Sequence, residues 1–143
     1  AADCFSVTRI VRATGDNPLV SARLAEKTLA LHRRTGAELT RLTGAPIGTG
    51  VEVVEADALK EASRRSPDPA EREHCTTFLL RRRDTYRVVE ASCPRSVFLP
   101  AAHVSLDTDL DYRNLTRIYA ALYRGKPITV TRLVRWLRKN PLT

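Results

Sequence analysis

Two aspartates, Asp16 and Asp107, stand where short β-branched runs give way to turn residues. A pair of carboxylates placed so can share a hard cation. Mg²⁺ is held by one or two carboxylates together with substrate phosphates and waters, the arrangement that chemistry on a nucleoside triphosphate needs. In open α/β sheets ligands collect beyond the carboxyl ends of the strands, so both aspartates can face one crevice. The same residues also suit an Asx-turn (Asp16) and a helix cap (Asp107), and spacing alone favours those two roles.

Arg72, Glu73 and His74 bring three polar groups into one or two helical turns, where successive residues point in different directions and at most two can meet one ligand. His74 can exchange a proton near neutral pH, or serve as a hydrogen-bonded structural group. The stretch Gly44-Ala-Pro-Ile-Gly-Thr-Gly50 is a loop in which backbone amides can approach a ligand closely, yet no Gly-Lys-Ser/Thr follows, so it is not a Walker A loop. Glu52 lies just beyond and faces away from Val51 and Val53, able to meet a sugar hydroxyl or simply solvent. Cys4, Cys75, Cys93, His32 and His103 have no motif around them that builds a nucleophile. No catalytic side chain is assigned.

The elements that must hold these residues alternate. Phe5 to Ala13 is β-branched and stops at Thr14-Gly15-Asp16-Asn17-Pro18, which predicts a strand followed by a loop. Val20, Leu24, Thr28 and Leu31 recur at helical spacing up to Arg33-Arg34, and Gly36 supplies the stop. Val51 to Val54 predicts a strand and Asp57 to Ala62 a helix. Asp68-Pro69-Ala70-Glu71 combines an N-cap, a proline at the first helical position and an acid at the third, and Cys75, Phe78 and Leu79 continue one apolar face. Tyr86 to Val89 and His103 to Leu106 predict short strands, the second handing over to a helix with Leu115, Ile118, Tyr119 and Leu122 on one stripe. Val130, Leu133, Val134 and Leu137 repeat the pattern in a last helix. Alternating strands and helices predict a single α/β domain over residues 1–143.

The chain of 143 residues, 43% of them hydrophobic, is long enough to bury a core and is not a disordered tail. Three widely spaced cysteines form neither a disulfide framework nor a zinc site, which fits a reducing, cytoplasmic setting. No stretch approaches the ~18 apolar residues of a membrane span. A formal net charge of +8 attracts phosphate in any form, including nucleic acid. With one Trp, four Tyr and three Phe and no interleaving of basic and aromatic residues, nucleic-acid binding is the alternative reading.

Several segments, in order, resemble the spore coat polysaccharide biosynthesis protein F family, which is similar to the cytidylyltransferases that activate acidic sugars. Arg12-Ala-Thr-Gly-Asp-Asn-Pro-Leu19 looks like its R-I-T-G-D-x-P-L turn, and Ile47-Gly-Thr-Gly-Val-Glu-Val-Val54 its loop running into G-x-x-V-E-V. Arg72-Glu-His-Cys-Thr76 resembles R-E-H-V-T, and Val104-Ser-Leu-Asp-Thr-Asp-Leu-Asp-Tyr112 resembles L-T-V-D-T-P-E-D-Y. Departures are Thr77 and Asp109, where the family carries proline.

The resemblance implies a Rossmann-like nucleotide-diphospho-sugar transferase fold in which a sugar hydroxyl attacks the α-phosphate of CTP, with Mg²⁺ on the leaving pyrophosphate. By position, Asp16 and Asp107 would be the metal ligands, and Asn17, Glu52, Arg72, Glu73 and His74 the sugar side. The family's opening nucleotide-binding segment, of the form A-R-x-x-S-x-R-L-P-x-K, has no counterpart before Ala1. The expectation is therefore the later portion of such an enzyme, truncated and inactive or weak alone, with self-association or a completing chain as its partner. The alternative is a basic, non-enzymatic interaction module.

Overall fold

A computed structural model describes residues 4–66 and 68–142. Four strands form one mixed sheet in the order β1-β3-β2-β4: β1 (Arg9–Arg12), β2 (Leu39–Thr43), β3 (Glu52–Glu55) and β4 (Val88–Ser92). β3 runs antiparallel to both β1 and β2, while β2 and β4 are parallel. The carboxyl ends of β1, β2 and β4 therefore meet the start of β3 at one end of the sheet.

Alternation along the strands sorts the side chains onto two faces. On one face Leu39 and Val54 join Ala58 and Ala62 of α2 (Ala56–Arg65), Phe78 and Leu79, and Tyr86 in a buried cluster. The other face receives α1 (Ala22–Thr35), whose His32 is buried and bonds Thr40 Oγ1 through Nδ1 and Glu55 Oε1 through Nε2, each at 2.9 Å. Arg9 closes that network onto Glu55. Burial pushes Glu55 up, but the hydrogen bonds from His32 and Arg9 outweigh it and hold its carboxyl below the ordinary value. α1 stops where expected: Gly36 takes φ 59, the left-handed conformation glycine enters without strain, and its N–H donates to the His32 carbonyl.

Two further helices, α5 (Asp109–Leu122) and α6 (Val130–Leu137), pack Leu115, Ile118, Leu122, Leu133 and Leu137 around Val104 and Leu19. The α/β expectation holds, with three corrections. Only Arg9–Arg12 of the Phe5–Ala13 run joins the sheet. His103 to Leu106 is not a strand of the sheet; it makes one isolated parallel bridge, Ile47 to His103. The apolar face from Pro69 to Leu79 is not one helix but two, α3 (Pro69–Glu73) and α4 (Thr77–Leu80), because the chain leaves helical geometry at His74. That turn aims the Thr76 hydroxyl at the sheet and still lets Phe78 and Leu79 reach the core.

Candidate functional site

At the carboxyl end of the sheet the cross-strand register lines up Arg12 of β1, Glu52 of β3, Arg41 of β2 and Glu90 of β4. Opposite charges on neighbouring strands face each other along this row. Arg12 donates to Glu52 Oε2 at 3.0 Å, Arg41 Nη1 stands 3.8 Å from Glu52 Oε1, and Arg41 Nε donates to Glu90 at 2.5 Å. Arg83 holds the other Glu90 oxygen at 2.6 Å, and its hydrogen bond, with that of Arg41, keeps the Glu90 carboxyl below its usual range. Glu52 therefore faces a charged cleft of about 430 Å³, whose walls include Arg12, Asn17, Arg41 and the loop from Gly44 to Gly50.

That loop is clamped on its far side. Ile47 donates to the Ala102 carbonyl and accepts from Val104 N–H, both at 2.9 Å. Gly48 has φ 92, and a Cβ there would come within 2.8 Å of the Ser105 nitrogen. Only glycine lets the two backbones approach so closely without displacing one of them.

The loop after β1 reaches the same place. Asn17 lines the cleft, its Nδ2 donating to Thr14 Oγ1 at 2.6 Å. The Asp16 carbonyl accepts from Leu106 N–H at 2.8 Å, which sets Asp16 beside the residue preceding Asp107. Among the described residues the Asp16 carboxylate has no hydrogen-bond or ion-pair partner. Asp107 is not the cap of α5. Thr108 is, through a capping box in which its Oγ1 accepts from Asp111 N–H while the Asp111 carboxylate accepts from Thr108 N–H. The Asp111 carboxyl lies below its usual range chiefly through the Thr108 hydroxyl. Asp107 instead accepts from the Ser105 hydroxyl at 2.6 Å.

Asp16 and Asp107 lie on loops joined by a backbone hydrogen bond, and neither carboxylate serves as a turn or cap acceptor; carboxylate oxygens are the donors Mg²⁺ prefers. The structure brings Asp16, Asn17, Glu52 and Asp107 to one end of the sheet. It does not bring Arg72, Glu73 and His74 there. Arg72 borders a separate hollow with Cys75 and Lys60, its Nε donating to the Ser66 carbonyl at 3.1 Å, while Glu73 and His74 are exposed. The Arg72–Thr76 segment touches the cleft through Thr76, whose hydroxyl donates to Glu52 Oε2 at 2.7 Å. Arg41, Thr76, His103, Ser105 and Asp111 were not singled out from spacing. The Thr108-x-x-Asp111 pattern was a readable capping signal, whereas Arg41 needed the strand register.

No family model matches the chain. It is similar to spore coat polysaccharide biosynthesis protein SpsF of Bacillus subtilis (strain 168), 29% identical over 92% of this chain and 55% of that protein. Uncharacterized protein MJ1063 of Methanocaldococcus jannaschii is 25% identical over 99% of this chain and 58% of its own length. The chain thus spans a little over half the length of these curated relatives. A solved cytidylyltransferase from Leptospira borgpetersenii serovar Hardjo-bovis (strain JB197) superposes with a TM-score of 0.84 at 21% identity, covering 98% of this chain and 60% of that one. The chain has the α/β fold of that part of a cytidylyltransferase, and its sequence is similar to that of a polysaccharide biosynthesis protein.

Proposed function

We propose that this chain supplies the cation and sugar side of a cytidylyltransferase-like site in surface-polysaccharide sugar activation. In that reaction a sugar hydroxyl attacks the α-phosphate of CTP, the bond to the β-phosphate breaks, and pyrophosphate leaves. The observation that supports the reading is the 2.8 Å hydrogen bond from Leu106 N–H to the Asp16 carbonyl, which joins the loops that carry Asp16 and Asp107. Asp16 and Asp107 would hold Mg²⁺, whose charge would offset that on the departing pyrophosphate. Asn17 and Glu52 face the cleft where the sugar would lie. Arg12 and Thr76 occupy Glu52 Oε2, and Oε1, with Arg41 Nη1 3.8 Å away and outside hydrogen-bond range, would accept from a hydroxyl. In this reading Arg72, Glu73 and His74 shape the cleft only through Thr76.

The test is calorimetric titration with CTP and Mg²⁺ of the wild-type chain and of Asp16→Ala and Asp107→Ala. The expected result is saturable, Mg²⁺-dependent binding that both substitutions abolish. Binding that survives in the variants, or no binding at all, overturns the reading. Salt-steep binding to nucleic acid in its place would identify a basic interaction module.

A further inference from the structure

Among the described residues His103, Asp107 and Asp111 place a ring nitrogen and two carboxylate oxygens within 4.8 Å of one another, as though all three were ligands. Hydrogen-bond direction argues otherwise. An ionised carboxylate only accepts, so the Ser105 hydroxyl, 2.6 Å from Asp107 Oδ2, gives its one proton to that oxygen. The same Ser105 Oγ lies 2.6 Å from His103 Nε2 and must accept there, so Nε2 carries a hydrogen and is closed to a metal, and only Nδ1 of the ring keeps a lone pair. His103 Nε2 is 3.6 Å from Asp107 Oδ2, beyond hydrogen-bond reach, and so acts on the carboxylate through the serine. On Asp111, Oδ2 is already taken by the N–H groups of Asp107 and Thr108 and by the Thr108 hydroxyl. What stays open on Asp107 is Oδ1.

We propose that Ser105, itself oriented by His103, is the positioning residue that fixes the Asp107 carboxylate for a divalent cation. The inference rests on the cation reading above. Ser105 is only 5% exposed, and its backbone is pinned by the close passage of Gly48, so its hydroxyl has a fixed origin. The Asp107 side chain is half exposed, with the Ser105 hydroxyl as its hydrogen-bond donor. A carboxylate held by one oxygen presents the other in one direction, which is how hydrogen-bond partners behind a ligand raise metal affinity.

The probe is Mn²⁺, whose free ion gives a paramagnetic resonance signal that disappears on binding. Its dissociation constant is read for wild type, Asp107→Ala, Ser105→Ala, Ser105→Thr and His103→Leu, with a thermal melt of each. Binding should be lost in Asp107→Ala and weakened about 10- to 100-fold in Ser105→Ala at an unchanged melting temperature. Ser105→Thr, which keeps the hydroxyl, should restore wild-type affinity, and His103→Leu should fall between. Wild-type affinity in Ser105→Ala alongside loss in Asp107→Ala overturns the positioning role and leaves the cation reading standing. Ser105→Thr as weak as Ser105→Ala also overturns it. No binding by the wild-type chain removes both. Should Ser105→Ala melt early, the exposed-ring variant His103→Leu decides: unchanged affinity there overturns the His103–Ser105 relay.

Discussion

Glu71 is an acid enclosed by the fold. It is 3% exposed, its Oε2 accepting from the Ser66 hydroxyl at 2.8 Å and its Oε1 from Arg81 and Arg82 at 3.2 and 3.0 Å. The Ser66 hydrogen bond, then those of Arg82 and Arg81, hold its carboxyl below the usual range despite burial. Because its folded-state pKa is depressed, the unfolded chain takes up the proton first. Its contribution to stability is complete above the ordinary carboxylate value of about 4.3, and is lost as pH falls through that value toward the lower folded one. Glu71→Gln should therefore melt below wild type at pH 7, with the gap closing as pH falls below about 4 in a series of thermal melts; a gap independent of pH would show that the charge does not matter. Glu71 was visible in the sequence as a first-turn acid, but its partners were not, since Arg81 and Arg82 reach it only after the chain turns at His74. The partners of Glu52 were hidden for a similar reason. Its environment comes from Arg12 and Arg41 on two other strands, and no local pattern reveals which residues a strand pairs with.

At the scale of elements, the capping box of α5 does two jobs, starting the helix and relieving Asp107 of capping. Thr108→Ala should destabilise the chain by about 1 kcal/mol in urea unfolding, and a change near zero would mean that Asp111 alone satisfies the first turn. The helices were the legible part of this molecule. Gly36, and Asp68 with Pro69, carry local chemistry that fixes a terminus whatever the rest of the chain does. β2 was not legible. In Leu39-Thr-Arg-Leu-Thr43 the two leucines do not alternate, because the strand is covered on both faces: Leu39 packs with the α2 cluster, Leu42 with Leu24 of α1, and Thr40 bonds His32. His103 to Leu106 misled in the opposite direction: its backbone partners are Ile47 and Asp16, so it lies against two loops and is not a strand of the sheet.

For the molecule as a whole, β2 is the strand that joins two unequal halves. Its antiparallel partner β3 follows after a short glycine-bearing loop, whereas its parallel partner β4 begins only after α2, α3 and α4, and Arg41 meets Glu90 across 49 residues of chain. Closing the longer loop loses more chain entropy before any contact compensates for it, so the β2–β3 pair should assemble before β4 docks. Pulsed hydrogen-exchange labelling during refolding should protect the amides of β2 and β3 ahead of Val88–Ser92, and simultaneous protection would refute that order. The charge row spans all four strands: Arg12, Arg41 and Glu52 line the cleft, and Glu90, which holds Arg41 in place, arrives with β4. A partly folded chain can thus hold most of its sheet and still lack a finished cleft, so that ligand capture there reports the end of folding and not merely collapse.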